Sequence, residues 1–203
     1  MIRLAAILLT VLCCSGCIAL LHDAYFSPRS SEPHELRSPV RGHPAEVWTV
    51  FGSPSDILTI ERDGMRIGLH AKNTASSFAW FGPLFIPLIP IPANETFEAS
   101  PLEIWLGVVS DQEVGIESDG LRLRIVEDVG DAGREASIAP HEVRERVVRE
   151  GFSCWDLVFL LPEGEPVESF DLEIAGLRTQ MGRLAPAVIH FSLVEGWRAA
   201  ALP

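Results

Sequence analysis

Apolar and polar positions alternate with a period of two through most of this chain, the spacing that puts every second side chain on one face of a β-strand. The alternation is plainest at residues 121–126, where Leu121, Leu123 and Ile125 share one face and Arg122 and Arg124 the other. It recurs at 169–174, with Phe170, Leu172 and Ile174 set against Ser169, Asp171 and Glu173. Partial alternation marks further strands at 47–51, 56–61, 65–70, 102–109, 114–117, 152–161 and 187–194.

Turn residues punctuate these runs. Asp63-Gly64 lies between 56–61 and 65–70, and Asp-Gly between alternating segments is a strong hairpin signal because both residues tolerate positive φ. The same pair at Asp119-Gly120 predicts a second hairpin joining 114–117 to 121–126. Nine or so short strands predict a mostly β fold: an antiparallel β-sandwich of Ig-like kind with at most one short helix, a small β-barrel being the alternative. The helix candidate is 140–150, with Pro140 early, Gly151 at its end and apolar residues at 143, 147 and 148; a strand or a solvated excursion between strands fits these positions equally well.

Composition narrows the function classes. With 203 residues, 47% of them apolar, the chain can bury one core of ordinary size. Acidic residues outnumber basic ones 28 to 16, a formal net charge of -12, which argues against a nucleic-acid partner and against anionic lipid headgroups. Only one of the basic residues, Lys72, is a lysine. Cysteines stand at 13, 14, 17 and 154, so a disulfide framework is excluded, and Cys154 in a predicted strand reads as an inert core thiol.

Arg3 followed by the apolar run 4–12 has the profile of an export signal and is too short to span a bilayer, which needs about 20 apolar residues. The run leads into Cys14-Ser15-Gly16-Cys17. Small residues before a cysteine resemble the lipobox of bacterial lipoproteins, although Cys14 stands where that family usually carries Leu. The resemblance implies cleavage after residue 16, lipidation of Cys17 and attachment to a membrane of the bacterial cell envelope. Ile18 after that cysteine resembles the default leading to the outer membrane. The bland alternative is an uncleaved amphiphilic anchor.

From residue 22 to residue 44 the composition turns to Ser, Pro, Arg, Glu and His, with prolines at 28, 33, 39 and 44. Residues 17–44 therefore read as a lipidated N-terminus and tether, of which 22–44 could reach roughly 70 Å or lie in part along the domain as an edge strand, and 45–203 as the β domain. Within that domain the oddest stretch is 78–92, which has no charge and four prolines. Its Trp80, Phe81, Pro83, Phe85, Pro87, Pro90 and Pro92 form the candidate binding surface, for a protein partner or a membrane, if the stretch is not buried.

Catalytic motifs stop short of completion. His141-Glu142-Val143-Arg144-Glu145 begins like a zinc helix but has Glu145 where the second imidazole belongs. Gly151-Phe152-Ser153-Cys154-Trp155 begins like a nucleophile elbow but has Trp155 where glycine must close the turn. His70, His141 and His190 are the plausible general bases. The expectation is a non-enzymatic, lipid-anchored envelope protein that needs no cofactor or metal and binds a protein of the envelope. A carrier of an apolar small molecule and an enzyme of unrecognised type are the alternatives.

Overall fold

Alternation of the predicted kind organises nearly every element of the computed structural model, which describes residues 18–37, 56–81, 87–89, 97–127, 134–149, 151–162 and 167–201. Among the described residues sixteen strands follow in chain order. They are β1 (Ile18–Ser30), β2 (His34–Arg37), β3 (Ile57–Arg62), β4 (Met65–Ala71), β5 (Thr74–Phe81) and β6 (Pro87–Ile89). Next come β7 (Leu102–Ser110), β8 (Gly115–Ile116), β9 (Leu121–Glu127), β10 (Arg134–Ile138) and β11 (Glu142–Arg149). The last five are β12 (Gly151–Phe159), β13 (Ser169–Ile174), β14 (Leu177–Thr179), β15 (Gly182–Arg183) and β16 (Ala187–Ala201).

Two large antiparallel sheets carry the fold, and neither closes into a barrel. The first has the order β10-β9-β13-β16-β1-β5-β6 and the second β11-β12-β7-β4-β3-β2. A small sheet, β15-β14-β8, lies at one end. Inward positions of both large sheets meet in a single core. Leu58, Ile60, Leu69, Leu102, Ile104, Leu106 and Phe159 come from the second sheet, and Phe26, Leu121, Leu123, Phe170, Leu172, Ile189 and Phe191 from the first. Burying such side chains contributes about 1.5–3 kcal/mol each before chain entropy is subtracted. Three of the phenylalanines pack as a unit. Phe26 meets Phe170 edge-on at 5.0 Å between ring centres, and Phe170 stacks on Phe191 at 4.8 Å.

The two Asp-Gly pairs turn out differently. Asp63 and Gly64, at φ 50° and 75°, close the β3–β4 hairpin with Arg62 opposite Met65, as their chemistry predicts. Asp119-Gly120 closes no hairpin. It sits in a single 3-10 turn, Ser118–Gly120, and β8 pairs with β14 instead of β9. Gly120 is needed there for close approach: a Cβ at this position would come within 2.5 Å of the Gly176 backbone. The contact is fixed by Ala175 N–H donating to Gly120 O at 2.7 Å and Glu117 N–H donating to Gly176 O at 2.8 Å.

The helix candidate at 140–150 is a strand. β11 pairs along β12, with one extra residue between Glu145 and Val147, a β-bulge at Arg146. Its three apolar residues suit a strand as well as a helix, and the neighbouring β12 offers a long partner.

Residues Ile18–Ser30 and His34–Arg37, which the composition assigns to a tether, are β1 and β2. β1 lies between β16 and β5 in the middle of the first sheet. Pro28 is compatible with this because pairing to β5 stops at Tyr25, leaving Pro28 a partner on the β16 side alone, opposite Phe191. The strand predicted at 47–51 lies outside the described residues.

The two sheets differ in reach. Only Lys72 and Asn73 separate the end of β4 from Thr74, which pairs with Tyr25, so the chain crosses from the second sheet to the first at about the level of Tyr25. Asn73 clamps this crossing, donating to Glu98 O and Pro101 O and accepting from Glu103 N–H at 2.8 Å. β1, β5 and β16 run on past that level, to a last row in which Ile18 pairs with both Phe81 and Ala201.

Candidate functional site

Three features outside the core carry the chemistry of this molecule. The first is the projecting end of the seven-stranded sheet. Register aligns β1, β16 and β5 in rows: Ile18, Ala201 and Phe81; Ala19, Ala200 and Trp80; Leu20, Ala199 and Ala79; Leu21, Arg198 and Phe78. β6 adds to the β5 edge, with Ile89 opposite Trp80 and Pro87 opposite Phe81. Twelve positions in four rows thus hold one charge, Arg198, in the row nearest the body. The following rows turn polar, with His22 and Ser77 beside Trp197, then Asp23 and Ser76 beside Gly196. Of the surface expected from sequence, Trp80 and Phe81 stand at the end of β5 and Pro87 in β6. Pro83, Phe85, Pro90 and Pro92 lie outside the described residues, as does Cys17, the residue immediately before β1.

The second feature is a charged patch on the outer face of the six-stranded sheet. β12 places Asp156 there, opposite Trp105 of β7 and Arg144 of β11. The Asp156 side chain is almost wholly buried and bonded to two cations: Lys72 Nζ at 2.6 Å and Arg146 Nε at 2.5 Å. The bulge aims Arg146 at this carboxylate, and Lys72 reaches it from just beyond β4. Burial alone pushes the Asp156 carboxyl up, but the Lys72 and Arg146 bonds outweigh it and hold the group below the usual carboxylate range. Glu103 lies 3.7 Å from Lys72 and 3.9 Å from Arg144, which also pairs with Glu142 at 2.7 Å.

Beside this network the Trp105 ring lies over Gly107 and Gly68, where a Cβ on Gly107 would overlap it. His70 stacks on Trp105 at 5.5 Å between ring centres, and burial lowers its pKa below the ordinary imidazole value. Sequence reasoning picked out His70 but missed Asp156, Lys72 and Trp105. The signal available was a lone aspartate inside an otherwise apolar strand, at Trp155-Asp156-Leu157.

The third feature is an open cleft of about 350 Å³ at the other end of the sandwich, formed by the β3–β4 turn, the segment after β7 and the β14–β15 hairpin. Asp63, Ser110, Asp111, Gln112 and Arg183 give it a polar lining, and Met181 at its rim is 85% exposed.

The expected general bases are dispersed. His70 is on the outer face of the second sheet and His141 precedes β11, while His190 on the first sheet pairs with Asp171 at 2.8 Å. Cys154 is buried and unpaired. Among the described residues no cluster of His, Cys, Asp and Glu has metal-ligand geometry, and no helix is long and apolar enough to cross a membrane. Comparisons of the chain with protein-family models, with curated proteins and with solved structures return no match.

Proposed function

We propose that this protein is a lipid-anchored component of the bacterial cell envelope that works by binding rather than by catalysis. The observation that carries the reading is the junction at residue 17. Ser15-Gly16-Cys17 follows an apolar run, and the next residue, Ile18, already pairs with Phe81 and Ala201. Acylation of Cys17 would join the lipid directly to the least polar end of the fold, with no spacer between them. At about 3.3 Å per residue, β1 then carries its other end roughly 40 Å away from that attachment.

Such an orientation turns the polar cleft and the exposed Met181 outward, to where an envelope protein can reach them. The acidic surface, at a net charge of -12, fits a basic or neutral partner better than an acidic one. The outer membrane is the destination that Ile18 favours. Replacing Cys17 by serine tests the anchor: the variant is expected to lose incorporation of labelled fatty acid and to leave the detergent-soluble membrane fraction. Undiminished labelling of the Cys17→Ser protein would overturn it.

A further inference from the structure

We propose that the projecting end of the seven-stranded sheet, the rows from Ile18–Ala201–Phe81 to Leu21–Arg198–Phe78, is itself a bilayer-contacting edge that seats the domain on the membrane. This deepens the anchored reading, on which it rests for the origin of the attachment. It replaces a domain held far from the bilayer with one whose strand ends lie in the interface.

Three observations converge. The four rows hold eleven uncharged positions among twelve, and β6 extends them with Pro87, Leu88 and Ile89. The described strands of the second sheet end near the crossing to Thr74: β4 at Ala71, and β7 and β12 two residues further, at the Leu102–Phe159 pair. The dimension also fits. The first and fourth rows are three residues apart, about 10 Å of strand, and interfacial protein segments bury their apolar part about 5–10 Å deep.

Polarity changes within about two rows on the three strands: after Leu21 on β1, after Phe78 on β5 and at Arg198 on β16. Arg198 in the fourth row stands where a lipid phosphate would lie, and a guanidinium extends readily to such a group. Trp197 and His22 share the next row, at the depth where tryptophan collects in membrane proteins. Asp23 and Glu195 follow within two rows. The edge pairing of the strands limits the depth, since strand edges do not enter the hydrocarbon core unpaired. The occupant is therefore the outer region of a zwitterionic bilayer, because the net negative charge of the chain disfavours anionic headgroups.

Brominated phosphatidylcholine reads this contact at named residues. With the full-length acylated protein in vesicles carrying bromine on the acyl chains, tryptophan emission should be quenched, and most of the quenching should vanish in the Trp80→Phe, Trp197→Phe double variant. Ala200→Glu should also lose most of it, while Met181→Glu, at the opposite end, should keep it. Retention of the buried-Trp155 near-ultraviolet signal checks that each variant is folded. Vesicle-bound protein without quenching would overturn the proposal and leave the anchor standing. Quenching that survives the double variant, or strand ends found covered by a second copy of the chain, would overturn it equally. Quenching that persists in a protein shown to carry no lipid on Cys17 would instead support the edge and sink the anchor.

Discussion

Asp156 shows how one residue sets the local stability of the outer sheet face. Its carboxylate is out of water and its partners are not: Lys72 and Arg146 keep 29% and 56% of their side-chain surface. Removing a partner and removing the acid therefore have unequal costs. Lys72→Ala leaves a buried anion with one cation and is expected to destabilise the fold by about 3 kcal/mol. Asp156→Asn leaves cations that can rehydrate and is expected to cost about half as much. Chemical denaturation of both variants checks the order. Because the Asp156 pKa is depressed in the fold, its stabilisation is complete above the ordinary carboxylate pKa and is lost as pH falls through the folded value. Wild type should lose stability more steeply than Asp156→Asn on the acid side of about pH 4.

The network was not legible beforehand because its members are far apart in sequence and meet only through the β4–β7–β12–β11 pairing. The buried thiol of Cys154 was legible, since an apolar strand setting is a local property.

Elements obeyed the sequence wherever local chemistry and tertiary contact agreed. The β3–β4 hairpin follows from Asp63-Gly64 alone, and the strands at 102–110 and 169–174 follow from alternation. Asp119-Gly120 carries the same local signal but serves a different need, since the glycine is there for what approaches it and not for its φ. The two glycines can be separated experimentally. Gly64→Ala meets open space and costs only the positive φ, about 1 kcal/mol. Gly120→Ala drives a methyl into the Gly176 backbone and is expected to cost about 2–3 kcal/mol. Equal losses in melting midpoint would refute the distinction. The period at 142–149 left helix and strand open because Val143, Val147 and Val148 lie at helical spacing and the strand's alternation is interrupted at Arg146, where the bulge sits.

At the scale of the whole molecule, the largest departure from the sequence reading is the place of residues 18–30. The prolines and polar residues of 22–44 mark a tether, but composition is blind to long-range pairing, and β1 is held on both sides by strands about 55 and 170 residues further on. Deleting it would split the first sheet and expose Phe26 and its aromatic partners. A chain running from residue 45 to 203 is thus expected to show no cooperative unfolding transition, whereas one from 18 to 203 should melt cooperatively. The mostly β sandwich was legible from the strands; the shared register of β1, β5 and β16, on which the proposed membrane edge rests, was not.

Mass spectrometry of the N-terminal peptide, taken from protein purified from its native cells, is the sharpest test of the proposed attachment. Residues 1–16 are expected to be absent, and the peptide to begin at Cys17 with the added mass of a diacylglyceryl group. A peptide beginning at Met1, or an unmodified Cys17 on protein recovered without detergent, would contradict it.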